Sequence, residues 1–171
     1  MRYYIIAGEP SGDLHASNLI KSIIKRDDAA QIRAMAGDLS REAGAELYRH
    51  YKDTAVMGVV EVVKKAGKIL NNLSDCKRDI LQFNPDVIIL VDYPGFNLKI
   101  AKFAKSRGIK VFYYIAPKVW AWKEHRVKEL RKYVDRLYII FPFEKDYFTQ
   151  RGVEAIYLGN PLADLESMDT N

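Results

Sequence analysis

The sequence predicts an α/β fold on a doubly wound, mostly parallel sheet, and three observations carry the prediction. Short apolar, β-rich runs alternate along the 171 residues with segments of helical periodicity. One run, residues 87–91 (Val-Ile-Ile-Leu-Val), is apolar without interruption, as a strand is when helices cover both faces of its sheet. The loops that carry polar and aromatic side chains of chemical interest follow directly on predicted strands, where open parallel sheets bind ligands.

Residues 3–7 form the first strand, and Gly8-Glu9-Pro10-Ser11-Gly12-Asp13 turns the chain into a helix at 14–25. In that helix Leu14, Leu19, Ile20, Ile23 and Ile24 supply one broad apolar face. Residues 32–36 are a second strand, stopped by Gly37-Asp38, and 41–47 a short helix. A long helical region, 59–83, ends before Pro85, because the residue preceding a proline disfavours helix. Strand 87–91 leads to a helix at 98–105, closed by Gly108, and strand 111–115 to a basic helix at 123–133. Strand 137–140, helix 144–150 and strand 155–158 complete the alternation before Gly159-Asn160-Pro161. Residues 1–162 are expected to be one domain, and 163–171 the start of a linker or a disordered tail.

A chain that is 49% apolar and 29% charged has the composition of a soluble globular protein. Its single cysteine, Cys76, excludes an intramolecular disulfide framework and a cysteine-built zinc site, and fits a reducing compartment. His15, His50 and His125 show neither metal-ligand spacing nor a Ser/His/Asp order. No secretory leader and no apolar run of about 18 residues is present. The net charge of +5 favours an anionic partner: a phosphorylated metabolite, an anionic membrane surface or nucleic acid.

Gly8–Asp13 lacks the glycine spacing of a dinucleotide fingerprint and the Gly-Lys-Ser/Thr of a P-loop. It offers Glu9, Ser11 and Asp13 to a ligand, or Ser11 or Asp13 to cap the next helix. Asp92, at the tip of the most apolar strand and beside Tyr93 and Phe96, is placed to be a general base, or to bond loop amides. Trp120 and Trp122 fit an apolar pocket or acyl chain as well as they fit the core. Glu144 suits the first turn of a helix. Val59, Val62, Val63, Ala66, Leu70 and Leu73 make an apolar stripe with Lys64, Lys65 and Lys68 off it. That pattern describes an interfacial membrane helix and equally a helix packed on a core. The basic residues of 123–136 stand beside the tryptophans without any nucleic-acid motif, so a lipid headgroup or phosphate is as apt a partner.

Taken in order, Gly8-Glu9-Pro10-Ser11-Gly12-Asp13, Val56-Met57-Gly58 with Val60-Glu61-Val62, Pro85-Asp86-Val87, Val91-Asp92-Tyr93-Pro94-Gly95-Phe96-Asn97, Pro117-Lys118-Val119-Trp120-Ala121-Trp122, Phe141-Pro142-Phe143-Glu144 and Gly159-Asn160-Pro161 resemble the lipid-A-disaccharide synthases. These are GT-B glycosyltransferases of family 19, and the matching pieces cover nearly the whole chain. The resemblance implies a Rossmann-like, amino-terminal, acceptor-binding half of a GT-B enzyme whose UDP-binding second domain is absent. The reaction it implies joins UDP-2,3-diacylglucosamine to the 6-hydroxyl of 2,3-diacylglucosamine 1-phosphate, with Asp92 as base and with no metal and no cofactor. It implies substrate contacts at Glu9, Ser11, Gly12, Asp13, Met57, Asn97, Lys118, Trp120, Glu144 and Asn160. Membrane contacts would be Val59, Val62, Val63, Leu70 and Trp120, on the anionic inner face of the cytoplasmic membrane, with no nucleic-acid partner. Some relatives carry an acid at Gly95 and a serine at Lys118; here Asp92 is the less ambiguous base, and Lys118 adds a cation for the acceptor phosphate. Transfer of another nucleotide sugar, or a non-enzymatic nucleotide or nucleic-acid module, remains the alternative.

Overall fold

The computed structural model describes residues 1–54, 62–117 and 125–159, with 62–66 as backbone only. Seven parallel strands form one sheet in the order β3-β2-β1-β4-β5-β6-β7. They are β1 (Arg2–Ala7), β2 (Gln31–Ala36), β3 (Glu46–His50), β4 (Val87–Val91), β5 (Lys110–Tyr114), β6 (Arg136–Ile139) and β7 (Ala155–Tyr157). The helices are α1 (Pro10–Arg26), α2 (Asp38–Glu42), α3 (Tyr51–Thr54), α4 (Val62–Phe83), α5 (Pro94–Ser106), α6 (His125–Tyr133) and α7 (Pro142–Thr149).

The period of two along each strand separates two cores. Tyr4, Ile6, Ile88, Leu90, Val111, Tyr113, Leu137 and Ile139 face the layer that holds α4, α5, α6 and α7. Ile5, Ala7, Ile32, Ala34, Val87, Ile89 and Val91 face the layer that holds α1. Strand β4 is buried at all five positions, as its unbroken apolar run predicts. On the α4 side Asp79 is buried and takes a 2.7 Å bond from the Tyr4 hydroxyl and a two-nitrogen grip from Arg33. One carboxylate thereby ties β1, β2 and α4 together, its charge compensated by the guanidinium.

Two expectations change. The short helix expected at 41–47 is α2, which spans Asp38–Glu42, and Glu46–His50 is instead an edge strand paired with β2. Its Glu, Arg and His suit a half-exposed edge and hide the strand from a search for apolar runs. Helices also begin earlier than expected. Pro10, Pro94 and Pro142, which read as loop residues, stand in the first turns of α1, α5 and α7, where a proline sacrifices no helix hydrogen bond.

His15 is buried on α1, and burial lowers its pKa from 6.5. The fold favours the neutral imidazole, so its contribution to stability is complete above pH 6.5 and is lost as the pH falls toward the lowered folded value. Thermal unfolding of His15→Leu from pH 7 to pH 5 should show a shallower loss than the parent chain; parallel curves would refute the assignment.

Candidate active site

The strand order reverses direction between β1 and β4, so the loops leaving these two strands flank a crevice at the sheet's carboxyl edge. Gly8 and Tyr93 meet there. A Cβ built on Gly8 would stand 2.3 Å from the Tyr93 ring, a distance no side chain tolerates. The ring stacks on Phe96, with centroids 5.6 Å apart. Burial raises the Tyr93 hydroxyl pKa first and the charge of Glu9 adds to it, which puts the Glu9 carboxylate on the same crevice. Ser11 donates a 2.9 Å bond to Glu9, and both residues are exposed.

Across the crevice the backbone is forced. Asp92 and Tyr93 have φ of 43° and 47°, and Ile115, just past the neighbouring strand, 64°. Aspartate enters the left-handed region with some ease, whereas an aromatic or β-branched residue there is strained by roughly 1–3 kcal/mol. Two buried side chains hold the turn. The Tyr113 hydroxyl donates to the Asp92 carbonyl at 2.5 Å, and Asn97 Nδ2 donates to the same oxygen at 2.8 Å. Asn97 Nδ2 also lies 3.3 Å from the Val91 carbonyl, while the Asp92 amide donates to Tyr114 on β5. Burial raises the Tyr113 pKa well above its usual value and the nearby Asp92 charge raises it further, so the hydroxyl keeps the proton it donates. Arg126, at the start of α6, is close enough to oppose that shift. The result is a half-buried carboxylate at the tip of β4 whose main chain is fixed from two sides.

The residues expected at the site divide accordingly. Glu9 and Ser11 follow the end of β1 and Asp92 the end of β4, on the two loops that Gly8 and Tyr93 bring into contact. Asn97 is fully buried beneath them and supports Asp92 instead of lining the opening. Asp13 is buried too, with its carboxylate taken by the amides of Gly37, Leu39 and Ser40 and the Ser40 hydroxyl. Neither Ser11 nor Asp13 caps α1; Asp13 caps α2, where amides and helix dipole both favour a negative charge. Glu144 is buried and accepts the Phe141 amide at the head of α7, the first-turn role rather than a crevice position. Gly12 sets α1 on the end of β1, where an added Cβ would touch Ala7 at an ordinary 3.4 Å. Met57, Val59, Lys118, Trp120 and Asn160 lie outside the described residues, as do the side chains of Val62 and Val63. Tyr113 is the residue that sequence reasoning missed: inside an apolar strand its hydroxyl gives no signal of the carbonyl it will meet. Among the described residues no cluster of His, Cys, Asp and Glu could hold a metal ion.

Gly8→Ala should lower stability by about 1–3 kcal/mol in urea unfolding, since Tyr93 must move to admit the methyl; an unchanged midpoint would show that the ring yields freely. Tyr113→Phe should lower it by roughly 0.5–1.5 kcal/mol, the worth of one hydrogen bond. It should also shift the amide resonances of Asp92 and Tyr93, and resonances that stay in place would exclude the clamp.

The family model of lipid-A-disaccharide synthetase matches residues 3–171. The chain is 42% identical over 164 residues to the lipid-A-disaccharide synthase of Trichlorobacter lovleyi, covering 96% of this chain and 43% of that protein. It is 44% identical over 163 residues to that of Geobacter metallireducens, covering 95% and 42%. The chain therefore spans less than half the length of these curated relatives. Among solved structures it is similar to UDP-GlcNAc 2-epimerase of Methanocaldococcus jannaschii, solved with UDP-GlcNAc and UDP (TM-score 0.71, 17% identity, 100% of this chain and 51% of that one). It is also similar to MurG of Acinetobacter baumannii (TM-score 0.61, 13% identity, 94% and 45%). At such identities these likenesses bear on the fold alone, a Rossmann-like unit that fills about half of each larger chain. With a family match over nearly its whole length and relatives above 40% identity, the chain belongs to the lipid-A-disaccharide synthase family.

Proposed function

We propose that this chain is the acceptor-side half of an inverting glycosyltransferase that makes the lipid A disaccharide. The observation that carries the reading is Asp92: a carboxylate at the β1–β4 switch point whose main chain is clamped by Tyr113 and Asn97. In the reaction, the 6-hydroxyl of 2,3-diacylglucosamine 1-phosphate gives its proton to the Asp92 carboxylate. The freed oxygen pair forms a bond to the anomeric carbon of UDP-2,3-diacylglucosamine from the face opposite the nucleotide. The bond from that carbon to the diphosphate breaks, and its electrons leave on UDP, inverting the anomeric centre. A clamped base suits this step, because a general base acts only within hydrogen-bond reach of the proton.

Glu9 and Ser11 form the second wall of the acceptor crevice, with Met57, Lys118, Trp120 and Asn160 assigned to the acceptor or to the cleft between halves, Lys118 toward the acceptor phosphate. Residues 1–162 are the acceptor domain and 163–171 lead into the linker. The UDP is held mainly by a second Rossmann-like domain. The absence of a P-loop and of a dinucleotide fingerprint from this chain agrees with that division, as does its share of the length of its relatives. The lipid substrates place the enzyme on the inner face of the cytoplasmic membrane, with Val59, Val62, Val63, Leu70 and Trp120 as its apolar contacts. No helix among the described residues is long and apolar enough to cross a membrane.

Joined to the carboxyl-terminal half of a curated relative, the chain should form disaccharide, and alone it should form none. In the joined enzyme Asp92→Asn keeps the size of the side chain but cannot take the proton, and kcat should fall by roughly 10²–10⁴. Turnover near the parent value would make Asp92 structural, and transfer by the chain alone would refute the division of labour.

A further inference from the structure

The contact that closes the crevice includes one polar atom that packing does not require. Tyr93 seats its ring over Gly8, where a built Cβ would stand 2.3 Å from Cδ1, and stacks the ring on Phe96. Phenylalanine would make both contacts equally well. To hold the ring there the chain takes Tyr93 through a φ of 47°, in the left-handed region that an aromatic residue rarely enters. Strain of this kind collects at functional sites, where the surrounding structure imposes it. The residue is half-buried, and its hydroxyl has no hydrogen-bond partner among the described residues.

The loop from β1 supplies a partner of complementary chemistry. Glu9 follows Gly8 directly, so the glycine under the Tyr93 ring also sets where the carboxylate starts. Burial raises the Tyr93 pKa and the Glu9 charge adds to it, so the hydroxyl is a donor at neutral pH. Ser11 Oγ donates to Glu9 Oε1 at 2.9 Å, and Oε2 takes no hydrogen bond among the described residues. A phenolic donor and a carboxylate acceptor on adjoining loops match a hydroxyl, which accepts and donates on one oxygen.

The acceptor narrows that match to one group. In 2,3-diacylglucosamine 1-phosphate, carbons 1, 2 and 3 are substituted, and the free hydroxyls are those on carbons 4 and 6. The 6-hydroxyl reacts at Asp92, the residue before Tyr93. The 4-hydroxyl lies close to it on the same sugar and is as able to act as nucleophile, so transfer to carbon 6 alone requires the 4-hydroxyl to be held elsewhere. We propose that Tyr93 and Glu9 bind the 4-hydroxyl of the acceptor, Tyr93 donating to its oxygen and Glu9 Oε2 accepting its hydrogen, and that the pair thereby presents the 6-hydroxyl to Asp92. This rests on the reading of Asp92 as the base and goes beyond it by naming a specificity-determining tyrosine and the substrate group that it reads.

The test compares the detergent-dispersed acceptor with its 4-deoxy analogue in the joined enzyme. With the parent, the analogue should raise the acceptor KM by roughly 10–100-fold, as loss of a hydrogen bond to a charged group does. Tyr93→Phe keeps the ring over Gly8. It should raise KM for the natural acceptor by roughly 3–10-fold, the effect of one neutral hydrogen bond, and leave the donor KM and the urea midpoint unchanged. Glu9→Ala should raise the acceptor KM by roughly 10–100-fold. With the 4-deoxy acceptor both variants should match the parent, because the group they read is gone, and a purely structural tyrosine would not produce that coincidence. Calorimetric titration of the 171-residue chain with the same two acceptors should give the same order of Kd, a readout that needs no turnover.

An equal penalty for Tyr93→Phe on both acceptors would make the hydroxyl structural and overturn the proposal. So would a parent-like KM and Kd for the natural acceptor in Tyr93→Phe, or a 4-deoxy analogue bound as tightly as the natural acceptor. A loss confined to the donor KM would move the pair to the nucleotide sugar and overturn it equally. The transfer reading is judged separately, by Asp92→Asn. If Asp92→Asn keeps its kcat while the chain still tells the two acceptors apart in calorimetry, the base assignment alone fails. If Asp92→Asn loses its kcat and the acceptors are not told apart, the assignment of Tyr93 alone fails.

Discussion

Tyr93 occupies the space that a side chain at residue 8 would need, and the geometry of the crevice depends on that contact. A parallel sheet that changes winding direction must bring the loops of two non-consecutive strands together at its carboxyl edge. Here the loops leave β1 and β4, and they close because one is glycine where the other is tyrosine. The ring then stacks on Phe96 in the first turn of α5, so the start of that helix, the end of β4 and the end of β1 are fixed by one side chain. Glu9 and Ser11 stand on one side of this closure and Asp92 on the other.

The same closure explains the strained backbone. Asp92 and Tyr93 turn through the left-handed region in succession, and Ile115 does so one strand away. Such conformations persist only where the surroundings over-determine them. The surroundings in this case are two donors on one carbonyl, from Tyr113 and Asn97. Both side chains are buried and cannot exchange the bond for water, so the energy that bends the chain comes from the core itself. The main chain that carries Asp92 is thereby fixed at the crevice.

Charges elsewhere are assigned by burial. Asp79 ties β1, β2 and α4, Asp13 closes the head of α2, and Glu144 closes the head of α7. Each is a carboxylate that tertiary packing drew inward because amides, a hydroxyl or a guanidinium was ready to receive it. Lys77 of α4 and Lys99 and Lys102 of α5 have no carboxylate receiver among the described residues and stay on the surface beside Phe103. The inside of the domain thus spends its acids on structure, and its outer helical face keeps an uncompensated positive charge.

The order of strands and helices was legible in the amino-acid sequence, because apolar runs with periods of two and 3.6 are local properties of the chain. Strand β4 could be read as doubly covered from five residues, and Asp92 as a strand-tip acid from the residues beside it. The ordered loop motifs pointed to the family for the same reason: each is contiguous. Strand β3 was not legible, since an edge strand with Glu, Arg and His has no apolar run to show. Nor did the sequence tell Glu9 from Asp13, two carboxylates four residues apart. Only the fold brings Gly37–Ser40 against one of them and leaves the other at the crevice. Tyr113 became a support for Asp92, and Gly8 a seat for Tyr93, through contacts between strands 21 and 85 residues distant in the chain. Such contacts are decided by the winding of the sheet, which no local pattern records.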